Sequence, residues 1–366
     1  MKFVKDLYQR HITLFNLIFL LCFLYLFLFS IELMGTSLKM LGKGLAEALI
    51  TTTTNPLIGL FVGVLSTSIV QSSSFTTSIV VGLVAGGALN VVNAIPIIMG
   101  ANIGTSVTNI LVSLTQIRRS VEFKLAFAAA IVHDFFNVLA VLVLFPLQYF
   151  TNFLGHMATF MGENFQNIGG LKFLSPIKAS TRPLVEVLKK LVGDYPWILF
   201  VLSLIFLLLA LTRMVKSLKI LVVQKAEGWF DRYLFKNALR AFLVGLVLTA
   251  MVQSSSITTS LAVPLAGAGI LTLMQIFPYT LGANIGTTVT AILAALVTGN
   301  LAAVTVAFSH LLFNVSGIFV WWPLKVVPIT LAEKFAELAV RKKAIPILYV
   351  VIVFFLVPIL LIFISR

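Results

Sequence analysis

Gln71-Ser72-Ser73-Ser74-Phe75-Thr76-Thr77-Ser78 interrupts an apolar stretch of this chain, and Gln253-Ser254-Ser255-Ser256-Ile257-Thr258-Thr259-Ser260 interrupts another. A second motif travels with the first, because Gly100-Ala101-Asn102-Ile103-Gly104-Thr105 returns as Gly282-Ala283-Asn284-Ile285-Gly286-Thr287. The offsets agree: 253 − 71 and 284 − 102 both equal 182. Two motifs kept in register over that distance mark an internal repeat. Two matching polar plugs in apolar sequence point to one binding site built from two halves.

Composition identifies the solvent. The 366 residues are 60% hydrophobic and 10% charged, with a mean hydropathy of +1.08. A spanning helix takes about 20 apolar residues. Such windows lie near Ile12 to Leu33, Pro96 to Leu114, Phe123 to Phe145, Pro196 to Thr212, Ile276 to Val297, Ala302 to Leu324 and Ile345 to Ile364. The expectation is an all-α polytopic membrane protein whose first partner is the lipid bilayer. The net charge of +14 does not imply nucleic acid. Its basic residues gather in short links (Lys2, Lys5, Arg10; Arg118, Arg119, Lys124; Arg213, Lys216, Lys219, Lys225, Arg232, Lys236; Arg341, Lys342, Lys343), which is the positive-inside pattern. The single cysteine, Cys22, excludes an intrachain disulfide and a thiolate metal cluster. The first apolar segment is too long for a signal-peptide core and reads as a retained helix.

The stretches around the serine runs behave differently. Pro56 to Val70 and Phe75 to Leu89 are each about 15 residues long, short for a crossing, and Asn237 to Val252 with Ile257 to Leu271 repeat the arrangement. Each pair reads as a re-entrant helical hairpin with serines at its tip. Non-helical backbone at that depth must be buried in protein or line a cavity, so the tips belong at the centre. Three spans separate the hairpins, and an odd number of crossings inverts the second half relative to the first. Met34 and Ser37-Leu38-Lys39 match Met214 and Ser217-Leu218-Lys219, and Phe136-Asn137 and Pro146 match Phe313-Asn314 and Pro323. The expected organisation is a cytoplasmic segment 1–11, repeat one 12–147 (hairpin about 56–89), an external linker 148–194, repeat two 195–324 (hairpin about 237–271), and an amphipathic segment with a final helix, 325–366. Each repeat is also expected to carry a broken transmembrane helix at its Gly-Ala-Asn-Ile-Gly-Thr motif. Basic links placed inside put the amino terminus in the cytoplasm, the linker outside and the carboxy terminus outside, in the cell (inner) membrane.

Inverted repeats with interrupted helices are the architecture of secondary transporters, where helix amino termini face anions and freed carbonyls hold cations. The helices after the serine runs would aim backbone N–H groups at the tips, and Ser72, Ser73, Ser74, Ser254, Ser255 and Ser256 add hydroxyl donors. At roughly 1.5–3 kcal/mol per hydrogen bond to a charged group, these donors suit a small oxyanion. The tips contain no basic residue, so co-bound cations must balance the charge. Gln71, Gln253, Asn102, Asn284, Thr105 and Thr287 offer the neutral oxygens that hard cations favour. Helix packing accounts for Gly59, Gly63, Gly82 and Thr108, but not for a Gln beside three serines in apolar sequence. Asp134 adjoins His133 in an apolar span; its counterpart in the second half is Leu311, by matching His133 with His310 and Asn137 with Asn314. It is a candidate cation ligand, against two plainer readings, a local pair with His133 or an acid snorkelling to the interface. His310 reads as a packing histidine.

These motifs resemble the type II sodium/phosphate cotransporter family, above all in Ala94 to Asn109, Glu122-Phe123, Ala126-Phe127-Ala128 and Val132-His133-Asp134-Phe135-Phe136-Asn137. The resemblance implies inorganic phosphate between the hairpin tips, held by serines of both runs. It implies sodium sites around Gln253, Ser254, Thr287 and Thr290 in one half and around Gln71, Thr105 and Asp134 in the other. An acid at the Asp134 position goes, in the family, with electrogenic transport. The resemblance thus implies a sodium-coupled symporter importing phosphate by alternating access, with sodium as coupling ion and no cofactor. The short cysteine-free linker differs from animal members and points to a bacterial one. Another small oxyanion, coupling to protons through His133 and Asp134, and an anion channel stay open as alternatives, as does a homodimer. A serine-nucleophile enzyme lacks a base near the serine runs in sequence, so the chain is not read as an enzyme.

Overall fold

In the computed structural model, residues 2–41, 51, 53–167, 175–193, 195–218, 235 and 237–365 are described. Among them the chain is helical throughout. In order the helices are α1 (Lys2–Leu41), α2 (Pro56–Val70), α3 (Ser73–Ala85), α4 (Val91–Gly104), α5 (Val107–Leu114), α6 (Ser120–Thr151), α7 (Phe153–Asn167), α8 (Ser175–Val192), α9 (Pro196–Leu218), α10 (Ala238–Val252), α11 (Ser255–Gly267), α12 (Leu273–Thr298), α13 (Leu301–Trp321), α14 (Val326–Arg341), α15 (Ile345–Val351) and α16 (Val357–Ile364), with a π turn at Ile352–Leu356. Seven helical stretches are long and apolar enough to cross a membrane: Leu14–Leu41, Val91–Leu114, Ser120–Thr151, Pro196–Ser217, Leu273–Thr298, Leu301–Trp321 and Ile345–Ile364. They fall on the seven windows read from the sequence. The basic positions Lys219, Lys225, Arg232 and Lys236, and Lys172 and Asp194 of the linker, lie outside the described residues.

Side chains at the ends explain where the short helices start. Asn55, Asn90 and Asn237 cap α2, α4 and α10 by accepting from Leu57 N, Asn93 N and Arg240 N. Asn300 caps α13 by accepting from Ala302 N.

Two helix pairs form the centre, α2 against α4 and α10 against α12, and glycine sets both. A Cβ at Gly63 would run into the Ile97 carbonyl, and one at Gly100 into the Leu60 carbonyl. In the other pair a Cβ at Gly245 would meet the Tyr279 carbonyl and one at Gly282 the Phe242 carbonyl. Every one of these contacts recurs at the 182-residue offset. The contacts advance together along both helices of a pair, so each pair runs parallel, backbone on backbone, as small residues permit. Gly82 of α3 packs on Met34 of α1, in keeping with the packing read for it. Around this centre α1 lies along α9, with Phe29 and Phe206 ring centroids 6.1 Å apart. The linker contributes α7, whose Phe165 meets Phe308 of α13 edge-on at 5.8 Å. α14 is the amphipathic helix, and its Phe335 packs on Phe127 and Phe135 of α6.

One expectation needs correction. The break expected at each Gly-Ala-Asn-Ile-Gly-Thr motif is present only in the first, where Thr105 and Ser106 separate α4 from α5; α12 passes through Gly282 to Thr287 unbroken. The difference follows the side chain after each motif. Ser106 and Thr288, 182 residues apart, each bond back to the carbonyl three residues before, Ile103 at 2.6 Å and Ile285 at 2.7 Å, but only Ser106 also reaches across to Asp134. Leu311 at the position matching Asp134 offers Thr288 nothing to reach for.

Candidate functional site

The two serine runs fold alike. Gln71 ends α2 at φ 57°, ψ 30°, and Gln253 ends α10 at φ 54°, ψ 28°; Ser72 and Ser254 follow in extended conformation. A glutamine in the left-handed region is unfavourable by about 1–2 kcal/mol, and this helix-end position usually holds glycine. Retaining glutamine at both places argues that the side chain matters. Ser72 Oγ then accepts from Phe75 N at 3.2 Å and Ser254 Oγ from Ile257 N at 3.4 Å, starting α3 and α11. The first intrahelical donors are Thr76 and Thr258, so the N–H groups of Ser73, Ser74, Ser255 and Ser256 are left facing outward from each helix start.

The two turns meet. Ser74 Oγ donates to the Gln253 carbonyl at 2.9 Å, a contact between segments 179 residues apart. Ser73, Ser255 and Ser256 are buried, and no hydrogen bond holds their hydroxyls. The arrangement concentrates helix amino termini, spare N–H groups and hydroxyls in one buried place, as an anion requires.

Beside the turns a chain of polar side chains stitches the halves together. Thr259 Oγ1 of α11 donates to Asn109 Oδ1 of α5 at 3.0 Å, and Asn109 Nδ2 lies 3.2 Å from His133 Nδ1 of α6. An amide nitrogen only donates, so the His133 proton sits on Nε2 and is given to Asn284 Oδ1 of α12 at 2.7 Å. Asn284 Nδ2 donates to Asn137 Oδ1 at 2.8 Å, and Asn137 Nδ2 to the Asn102 carbonyl at 2.9 Å. All six residues are buried. The equivalent chain in the other half is not made: both ring nitrogens of His310 and Oδ1 of Asn314 are buried without a partner.

Asp134 faces away from this chain. Its Oδ1 lies 2.5 Å from Ser106 Oγ and its Oδ2 accepts from the Tyr349 hydroxyl. It is fully buried and does not pair with His133, so neither plainer reading of it holds.

A family model described as Na+/Pi-cotransporter matches residues 26–173 and 206–320, both serine turns included. The chain belongs to the Na+/Pi-cotransporter family. It is 34% identical to sodium-dependent phosphate transport protein 2B of Pongo abelii and of Homo sapiens, over 94% of this chain and 64% of each of those proteins. It is 33% identical to sodium-dependent phosphate transport protein 2A of Ovis aries, over 97% of this chain and 68% of that protein. The chain thus spans about two thirds of the length of the curated relatives it matches. No solved structure matches the chain significantly. As a member of this family the chain is a multi-pass membrane protein.

Within this family frame the expected site residues divide. Gln253 is buried and its Oε1 has no hydrogen-bond partner; Thr290 Oγ1 is likewise buried and unpartnered. Gly286 packs on Leu246 and Thr249, so one turn further along the parallel pair Gln253 and Thr290 come level. Thr287 Oγ1 and Thr105 Oγ1 donate to the carbonyls four residues back, at 3.0 and 2.9 Å, which leaves their lone pairs outward. Asn284 has both ends of its amide on His133 and Asn137, while Asn102 Nδ2 bonds the Ile98 carbonyl of its own helix. Gln71 is exposed, and no hydrogen bond joins it to Thr105 or Asp134.

The sequence reading missed Ser106, Asn109, Thr259 and Tyr349, which reach partners 24 to 215 residues away. It also gave Thr108 to packing, although the hydroxyl of Thr108 is buried without a partner. The repeat itself held that signal: Thr108 plus 182 is Thr290.

Proposed function

We propose that this protein is a sodium-coupled symporter that imports inorganic phosphate by alternating access, with net positive charge entering. Its two halves, residues 12–147 and 195–324, form inverted repeats, each with a re-entrant hairpin, α2–α3 and α10–α11. The amino terminus lies in the cytoplasm and the linker outside. The observation that carries the reading is the meeting of two serine turns of equal geometry, joined by Ser74 and Gln253, in the interior of a cotransporter-family chain.

Phosphate sits between the turns. The N–H groups of Ser73, Ser74, Ser255 and Ser256 and the hydroxyls of Ser73, Ser255 and Ser256 donate to it, while Ser72 and Ser254 brace the helix starts and the Ser74 hydroxyl holds the Gln253 carbonyl. No basic residue stands in either run, so the anion's charge is balanced by cargo sodium. Gln253 and Thr290 supply unclaimed oxygens for one sodium, with Ser254 and Thr287 beside them. Asp134 supplies a charged oxygen for another, with Thr105 and Gln71 on its side of the protein. Asn284 acts by joining the halves, while the Asn102 side chain bonds within its own helix. A carboxylate in one half only means that the cations carried outnumber what the phosphate alone would balance. One elementary charge crossing 100 mV contributes about 2.3 kcal/mol to accumulation.

The test is labelled phosphate uptake into proteoliposomes under an inward sodium gradient, against potassium, with and without an inside-negative potential. Sodium-dependent, potential-accelerated uptake that Gln253→Ala abolishes is the expected result. Uptake indifferent to sodium would remove the coupling ion; uptake displaced by excess sulfate rather than phosphate would remove the substrate.

A further inference from the structure

Asp134 has no solvent exposure, and none of the salt bridges among the described residues reaches it. A carboxylate in such a place needs donors, and here they are two hydroxyls. Ser106 Oγ has a single hydrogen and two acceptors, Asp134 Oδ1 at 2.5 Å and the Ile103 carbonyl at 2.6 Å. The Tyr349 hydroxyl is given to Asp134 Oδ2 alone. Tyr349 belongs to α15, beyond the stretches that the family model matches. Its ring is held between Phe335 at 5.0 Å and Phe354 at 6.0 Å. Directly after it the helix widens into the π turn Ile352–Leu356, a feature frequent at functional sites.

We propose that Tyr349 is a latch on the Asp134 cation site: its hydroxyl holds Oδ2 while sodium is absent and turns away when sodium arrives. The helix that follows the two halves thereby sets the sodium affinity of that site. This rests on Asp134 being a sodium ligand. Hydrogen bonds to a charged acceptor are among the strong ones, and sodium entering the site must displace this one. The hydroxyl stabilises the empty site and not the loaded one, so its removal tightens sodium binding, by about tenfold for one bond of this kind. Tyr349 is a positioning residue, acting on sodium through Asp134.

The test uses the full chain as wild type, Tyr349→Phe, Asp134→Asn and the double variant. Phenylalanine keeps the ring between Phe335 and Phe354, and the melting point without sodium checks that the fold is kept. One readout is the rise of the melting point with sodium at constant ionic strength, which follows binding without transport. The other is the half-saturating sodium concentration for phosphate uptake, with the half-saturating phosphate concentration measured at saturating sodium. Tyr349→Phe is expected to lower both sodium midpoints about tenfold, to leave the phosphate value unchanged, and to have no effect in the Asp134→Asn background. A sodium midpoint that is unchanged or raised in Tyr349→Phe, with Asp134→Asn altering sodium activation, overturns the latch and keeps Asp134 as a ligand. Sodium midpoints unaffected by Asp134→Asn overturn both.

Discussion

Asn284→Ala should loosen the join between the halves far more than Asn102→Ala, although the two asparagines hold the same place in the same repeated motif. Asn284 takes a hydrogen from His133 Nε2 at 2.7 Å and gives one to Asn137 Oδ1 at 2.8 Å. Both partners are buried, so alanine leaves one donor and one acceptor stranded. Each stranded group costs about 1–3 kcal/mol, which sums to roughly 2–6 kcal/mol. The Asn102 side chain makes one bond, to the Ile98 carbonyl of its own helix at 2.9 Å. Its loss is worth about 1 kcal/mol, and alanine returns part of that through helix propensity, up to about 0.7 kcal/mol. The propensity gain is common to both positions and cancels, so the two variants should differ by roughly 1–5 kcal/mol.

Reversible unfolding of the purified protein in mixed micelles measures this directly. A cycle pairing Asn284→Ala with Asn137→Ala should show a coupling of about 0.5–3 kcal/mol, as touching residues do. If Asn284→Ala unfolds no more easily than Asn102→Ala while sodium activation of uptake is lost, then Asn284 is a cation ligand and not a joint, and the reasoning fails.

Gly282→Ala places a Cβ against the Phe242 carbonyl; overpacking of about 1–3 kcal/mol should outweigh the gain of about 1 kcal/mol in helix propensity, and unfolding in micelles would show the net loss. At the surface, Lys124 Nζ lies 2.8 Å from Glu337 Oε1 and holds that carboxyl below its ordinary range, first by the hydrogen bond and then by charge. A depressed carboxyl stabilises the folded state above its unfolded value and ceases to as pH falls through the folded one. Both side chains are well exposed, so the effect is small and screened by salt; melting curves on the acid side should show it in the wild type and lack it in Lys124→Met.

Much of the fold was legible because a membrane chain writes its architecture in composition. Apolar windows of spanning length favour helix, and each of the seven is helical, though Pro96 to Leu114 is divided between α4 and α5 and Ile345 to Ile364 between α15, the π turn and α16. The short arms were legible for the complementary reason, that Gln71-Ser72 and Gln253-Ser254 cannot continue an apolar helix without a gain elsewhere, and both helices stop there. The glycine motifs were harder. A glycine that breaks a helix and a glycine that admits a neighbouring backbone look alike in sequence; Gly100 and Gly282 both do the second, and the break after Gly104 is fixed by Ser106 and its remote acid. Likewise, Tyr349 stands in an apolar final helix where nothing local distinguishes it from a packing aromatic, and only the fold brings it to Asp134.

The departures from symmetry are the part of this structure that bears most on mechanism. Where the halves agree, at the serine turns and the glycine contacts, they supply a frame that either half could offer. Among the differences, two involve the interior polar chain: His133 is bonded at both ring nitrogens and His310 at neither, and Asn284 crosses to the other half while Asn102 bonds within its own helix. Stranded polar groups in a packed interior cost free energy, so a conformation that bonded His310 and Asn314 would recover what this one forgoes. Two arrangements of one nearly symmetric frame, each satisfying one chain at the expense of the other, would lie close in free energy, and that closeness is what a carrier that must turn both ways requires. On this argument His133→Ala should favour the opposite arrangement and His310→Ala the present one. Thiol labelling of cysteines placed at Gln71, exposed here, would shift in opposite senses in the two variants, and a shift of the same sense in both would refute the argument.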